Sequence, residues 1–128
     1  MKKFRFAFIT LFTVLCIADT AMPQNNVWIY IKDYQGVGVY WRYRQELKDQ
    51  FISELKFENR NGYKVEVSVS PQFTCEDGTV TNESSQMFNI KSNGTQGGQW
   101  AGLFYYPCGG KRPPRSGGYS RLTVKQVN

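Results

Sequence analysis

Hydrophobic and polar residues alternate along most of the chain after its first two dozen positions. In the run 37–44, apolar and aromatic residues at odd positions alternate with glycine, tyrosine and arginine at even positions, and the run 63–73 largely repeats the pattern. Period-two alternation is typical of strands that bury one face. We therefore expect Trp41 and Tyr43 in the core, and the two arginines of the same run on the solvent side.

The stretch 50–59 is ambiguous by itself, because its apolar residues fit a helix face as well as a strand face. The short segment before the run 63–73 ends in Gly62, which can adopt the positive φ that closes a three-residue hairpin loop. In that register Phe57 faces Val65, and residues of opposite charge meet on the other face. The pattern therefore predicts a hairpin that pairs these two stretches.

Weaker signals predict further strands at 27–31, 79–81, 87–90, 99–106 and 122–127. The segment 99–106 is strongly aromatic, and loops are expected at 93–98 and 109–118. Seven or eight short strands with regularly spaced turn signals predict an all-β fold. We expect an antiparallel β-sandwich of immunoglobulin-like or fibronectin-like architecture, with a small β-barrel as the alternative.

Residues 1–18 have the layout of a secretory signal peptide, with basic residues, an apolar run and then small residues. Cleavage is expected after Ala18, or as late as residue 24, which leaves 19–128 as one domain. The apolar run is shorter than the roughly 20 residues that span a bilayer, so no transmembrane segment remains after signal removal. Lipid anchoring through Cys16 is not expected, since Leu15 occupies a position where lipidation signals have a small residue. The protein is expected to be periplasmic or secreted.

The cysteines of the mature domain indicate a structural crosslink. Once Cys16 leaves with the signal peptide, Cys75 and Cys108 remain, and two cysteines in an exported chain typically form a disulfide bond. The chain has no histidine and no C-x-x-C pair, so two thiols alone do not complete a zinc site. We expect a disulfide, no metal site and no cofactor.

Composition excludes several kinds of catalysis. Without histidine, the Ser-His-Asp and Cys-His systems are impossible, and the sequence has neither a phosphate loop nor a dinucleotide fingerprint. A carboxylate pair is the acid–base arrangement that composition leaves open. We expect that the protein is not an enzyme.

Charge suggests the chemistry of a partner. The chain has 16 Lys and Arg against 10 Asp and Glu, but three of the basic residues lie in the signal peptide, which leaves +3 for the mature domain. A mildly basic exported domain suits anionic surfaces. The candidate binding residues are aromatic or basic and lie in 99–106 or in the Pro-stiffened loop 109–118: Trp100, Tyr105, Tyr106, Lys111, Arg112 and Arg115.

These observations predict an exported, non-catalytic binding or interaction module at the cell envelope. The expected partner is an anionic glycan, another envelope component or an acidic protein, and export makes nucleic acid an unexpected partner. The alternative is a small secreted enzyme inhibitor that acts through the basic loop 109–118.

Overall fold

The structure, a computed structural model, describes residues 25–128, so the predicted signal peptide lies outside the described residues. Within this range nine strands form two antiparallel sheets that share one hydrophobic core. The sheets pack as a β-sandwich and are not closed into a barrel, which confirms the predicted sandwich and excludes the alternative. Residues 25–128 contain no helix with the length and apolarity that a membrane crossing requires.

The first sheet has β2 (Val37–Leu47) and β3 (Gln50–Asn59) at its centre. β1 (Ile29–Tyr34) pairs with the free side of β2. Two short strands, β7 (Thr95–Gly97) and β8 (Phe104–Tyr105), pair with successive parts of the other side of β3. β3 therefore lies between β2 on one side and β7 and β8 on the other, and its outward-pointing side chains lie at the middle of the sheet.

The second sheet is built around β4 (Val65–Thr74). β9 (Ser116–Gln126) pairs with β4 along one side. On the other side of β4, β6 (Gln86–Ile90) pairs with its first half and β5 (Val80–Asn82) with its end. The last three residues of the predicted loop 109–118 thus belong to a strand.

The predicted hairpin between 50–59 and 63–73 is wrong. Both segments are strands, but β3 pairs with β2 and β4 pairs with strands of the other sheet. Phe57 lies opposite Val39, whereas Val65 lies opposite Ile90. Because both strands turn their apolar faces to the same core, alternation located the buried faces correctly without identifying the partners.

A buried asparagine holds the crossover between the sheets. The side chain of Asn59 is 2% exposed, and its Nδ2 donates to the carbonyl oxygens of Tyr63 at 2.8 Å and Lys91 at 3.1 Å. Its Oδ1 accepts the backbone N–H of Asn61 at 3.0 Å. A buried amide with these partners stabilises a change of sheet in place of a tight hairpin.

The alternation in β2 has the predicted orientation. Trp41 and Tyr43 are buried, while Arg42 and Arg44 lie on the outer face of the first sheet. A Cβ atom on Gly117 of β9 would lie 2.7 Å from the Trp41 ring, so only glycine lets the second sheet approach this close.

The prediction of one aromatic strand over 99–106 is also wrong. Gly98 and Gly102 have φ values of 72° and 74°, a conformation that favours glycine and interrupts a strand. A 3-10 helix (Gln99–Ala101) lies between them, and only β8 remains as strand. We call residues 98–103 the Trp100 loop. With β7 inside the predicted loop 93–98, the described strands number nine, one more than the upper expectation.

Candidate functional site

Trp100 is the most exposed large hydrophobic side chain in the described part of the chain, with its full surface open to solvent. The base of its loop is well fixed. The Leu103 N–H donates to the Gly98 carbonyl at 3.0 Å, and the Gly98 N–H donates to the Leu55 carbonyl at 3.0 Å. Leu103 itself is completely buried. The loop therefore presents an uncovered indole on a base anchored in the core.

Glu54 lies beneath the Trp100 loop on the outer face of β3 and is only 2% exposed. Its Oε2 accepts the backbone N–H of Gln99 at 2.8 Å. Its Oε1 accepts hydrogen bonds from Nε of Arg42 at 2.8 Å and Nε of Arg44 at 3.1 Å. Arg44 also donates to the Gln99 side-chain oxygen at 2.8 Å. One buried carboxylate thus positions the loop and two guanidinium groups together.

Glu54 is not among the candidate residues that the sequence pattern indicates. Within β3 it occupies one of the alternating positions assigned to the polar face. No neighbouring residue indicates that it is buried, because its partner Gln99 is 45 positions away. A buried carboxylate is costly unless cations and hydrogen bonds compensate it. That requirement explains why Arg42 and Arg44 of β2 both bond to the Glu54 carboxylate.

Aromatic and basic side chains form a row across the first sheet. The Arg42 guanidinium lies 4.2 Å from the centre of the Trp28 ring. Arg42 is opposite Glu54, and Glu54 is opposite Phe104. With strands spaced about 4.8 Å apart, a row across four strands is about 14 Å long. We call the following residues the aromatic–arginine strip: Trp28, Arg42, Arg44, Trp100 and Phe104.

A second row lies beside this strip. The rings of Tyr30 and Tyr40 meet edge to face at 5.5 Å, and Lys56 Nζ lies 4.5 Å from the centre of the Tyr40 ring. Arg60 bonds to Asp33 and Glu58. The hydrogen bond to the Glu58 carboxylate raises the pKa of the Tyr40 hydroxyl. The two rows together hold four basic residues, Arg42, Arg44, Lys56 and Arg60, and three acidic ones, Asp33, Glu54 and Glu58.

The other two aromatic candidates lie in different surroundings. Tyr106 is 41% exposed, and its ring meets Phe104 edge to face at 6.3 Å, so it borders the strip. Tyr105 points into the core, where its ring lies 5.6 Å from Phe73 and its hydroxyl bonds to Gln86. Trp100 and Tyr106 are therefore accessible to a partner, whereas Tyr105 contributes to stability.

Burial raises the pKa of Tyr105 above its ordinary value near 10. The folded protein keeps the phenol proton where the unfolded chain loses it, so this contribution to stability is complete below pH 10 and declines as the pH rises further. We expect the free energy of unfolding to fall above pH 10, with Tyr105 contributing up to about 1.4 kcal/mol per pH unit.

Urea unfolding of wild type and Tyr105→Phe between pH 8 and pH 11.5 measures this effect. Tyr43 and Tyr119, whose pKa values are also raised by burial, are present in both proteins, so the difference between the curves reports Tyr105 alone. Parallel curves above pH 10 would contradict the assignment.

The basic candidates lie in a separate, crosslinked loop. Cys75 and Cys108 form the predicted disulfide, with Cα atoms 5.8 Å apart. The Arg115 N–H donates to the Thr74 carbonyl at 2.8 Å, and Pro114 is buried. The 3-10 helix Cys108–Gly110 contacts β3. The loop thus has a fixed base, with Lys111, Arg112 and Arg115 all exposed.

A cleft of about 320 Å³ opens beside the disulfide, and its lining residues carry both signs of charge: Cys75, Glu76, Asp77, Thr79, Cys108, Arg112 and Pro113. Arg112 pairs with Glu76 at 3.7 Å. Hydrogen bonds from the Thr79 hydroxyl and N–H lower the pKa of Asp77 and favour its ionised form. Within 25–128 no group of three or more potential acidic or cysteine ligands is placed to hold a metal ion.

No protein-family model and no curated protein matches this sequence. Among solved structures, the chain is similar to a DUF1425 family member from Shewanella sp. pv-4, whose crystal structure was determined at 1.81 Å resolution. The alignment covers 84% of this chain and 95% of that chain, with 6% identity and a TM-score of 0.43. A similarity of this size supports no statement about function.

Proposed function

We propose that this protein is an exported, non-catalytic binding module whose contact surface is the aromatic–arginine strip. The observation that carries the proposal is the fully exposed indole of Trp100 on a loop anchored by the buried Glu54. Exposed aromatic side chains with nearby arginine are enriched at binding surfaces. A loop that is already ordered loses little conformational entropy on binding.

Two further observations support a role without catalysis and outside the cytoplasm. Glu54 already accepts three hydrogen bonds, which makes it a poor general base, and the chain has no histidine. Export rests on the signal-peptide pattern of residues 1–18 and on the disulfide, which is typical of oxidising compartments.

Trp100→Ala tests the surface. The indole contacts little of its own protein, so the variant is expected to unfold at the same urea concentration as wild type. Its affinity for the cognate ligand is expected to fall at least about tenfold, the size typical of an interface aromatic. The measurement is a screen of the domain from residue 19 against envelope polysaccharides, with a parallel pull-down of exported proteins.

Met87→Ala is the matched control, because Met87 is 66% exposed on the other sheet. The proposal requires that Met87→Ala binds like wild type. Ligands retained equally by wild type and Trp100→Ala would place the contact surface elsewhere.

The inhibitor alternative remains a second candidate because the basic loop is stiff. Its base is crosslinked at Cys108, and Pro114 is buried beneath its tip. An inhibitor of this kind would form a tight complex with one acidic enzyme. That complex would be lost in Arg112→Ala/Arg115→Ala and unaffected by Trp100→Ala, which separates the two functions.

A further inference from the structure

We propose that the ligand of the aromatic–arginine strip is a weakly anionic polysaccharide that carries sparse carboxylate groups and lies across the strands of the first sheet. This inference rests on the proposed function and specifies its ligand.

The shape of the strip suits an extended polymer. Its aromatic residues lie at both ends, with Trp28 at the β1 side and Phe104 and Trp100 at the β8 side. The row is about 14 Å long by strand spacing, so a linear ligand with several ring units can contact both of its ends. Flat aromatic rings offer apolar area on which the apolar faces of sugar rings can pack, while their polar groups stay in water.

The basic groups between the aromatic ends suit carboxylates. Arg42 contacts Glu54 through Nε and the Trp28 ring through its guanidinium plane, and its side chain is 24% exposed. The Arg44 side chain is 25% exposed and is held by Glu54 and Gln99. A guanidinium has five N–H donors, so both arginines keep donors for a ligand while their positions are already fixed.

The charge balance of the surface favours a low charge density in the ligand. Four basic residues face three acidic ones across the two rows, so the net excess is a single positive charge. Nucleic acid carries a charge on every nucleotide and is bound by many uncompensated Lys and Arg residues. A polysaccharide with an occasional carboxylate matches one excess cation better.

The test compares two forms of polygalacturonate. In the sparse form most carboxylates are methyl-esterified and occasional ones stay free, and in the fully esterified form none stays free. Binding to the mature protein is measured by calorimetry at low and at physiological salt. We expect the sparse form to bind at least about tenfold more tightly than the fully esterified form, the size of one charge-assisted hydrogen bond, and the difference to shrink with salt.

Variants connect the binding to the strip. Trp100→Ala is expected to weaken binding of both polymers, whereas Lys56→Gln is expected to weaken only the acidic one. Lys56 is chosen because its Nζ lies 4.8 Å from the centre of the Trp28 ring of the strip, while the loop is anchored by the bonds of Glu54 to Arg42, Arg44 and Gln99. Lys125→Ala, which removes an exposed cation of the second sheet, is the matched control and is expected to bind like wild type.

The outcomes separate this inference from the proposed function. Equal binding of the two polymers overturns the proposal that the ligand carries carboxylates. Binding of a single-stranded oligonucleotide or a protein that is tighter than binding of either polymer overturns it as well. If that binding still depends on Trp100, the binding module stands. Binding of the sparse form that survives both Trp100→Ala and Lys56→Gln overturns both proposals.

Discussion

Glu54→Ala is expected to lower the free energy of unfolding by about 3 kcal/mol and to abolish binding at the strip. The carboxylate is 2% exposed and accepts two guanidinium groups and the Gln99 N–H. Removing one partner of a buried ion pair costs about 3–5 kcal/mol. Because a quarter of each arginine side chain reaches water, we expect the loss in free energy of unfolding to lie at the lower end of this range.

The same variant should release the Trp100 loop, since the Gln99 N–H and the Arg44 guanidinium lose their shared acceptor. Urea unfolding measures the free energy of unfolding, and the rate of hydrogen exchange at the Gln99 amide measures how often the Trp100 loop opens. Glu66→Ala is the control. Glu66 pairs with Lys125 at 3.4 Å on the exposed face of the second sheet, where such pairs contribute at most about 1 kcal/mol. Equal effects of the two substitutions would contradict the anchoring role of Glu54.

Removal of the disulfide is expected to have an effect of similar size. Cys75 and Cys108 are 33 positions apart, and a crosslink that closes a loop of this length stabilises a folded chain by about 3–4 kcal/mol. We expect Cys75→Ser/Cys108→Ser to lower the free energy of unfolding by that amount. The crosslink ties the end of β4 to the base of the basic loop, so the Arg112–Glu76 pair beside it should also loosen.

Urea unfolding with and without a reductant measures this contribution. Wild type should lose stability when reduced, and the double serine variant should not respond to reductant at all. A loss below about 1 kcal/mol in the serine variant would mean that the sandwich holds this loop by packing alone. Trp100-dependent binding should survive in the folded variant, because the strip lies on the first sheet and its anchor is Glu54.

The sequence predicted which face of each strand is buried more accurately than it predicted which strands pair with one another. Trp41 and Phe57 are buried where the alternation placed them, because the direction of a side chain along a strand is a local property with period two. The hairpin between β3 and β4 failed because several registers bury the same apolar faces. The ten-residue β3 instead pairs with β2, and the buried Asn59 secures the crossover that follows.

The candidate site was only partly predictable for the same reason. Composition and position identified Trp100 and Tyr106 as candidates, but the strand predicted over 99–106 ran through Gly102, whose positive φ ends it in the structure. Neither the burial of Tyr105 nor the role of Glu54 has a signal within a few residues. Both depend on contacts with residues far along the chain, namely Gln86 and Gln99.

The sequence by itself favoured an antiparallel β-sandwich over a small barrel, and it predicted which faces of β2, β3 and β4 enter the core and that Cys75 and Cys108 are joined. These predictions follow from local alternation and from the two cysteines that lie outside the predicted signal peptide. Only the tertiary structure decided which strands pair and that Trp100 stands free above a buried carboxylate. Pairing and burial are properties of segments brought together from distant positions, and a polar residue such as Glu54 is buried only once its partners are in place.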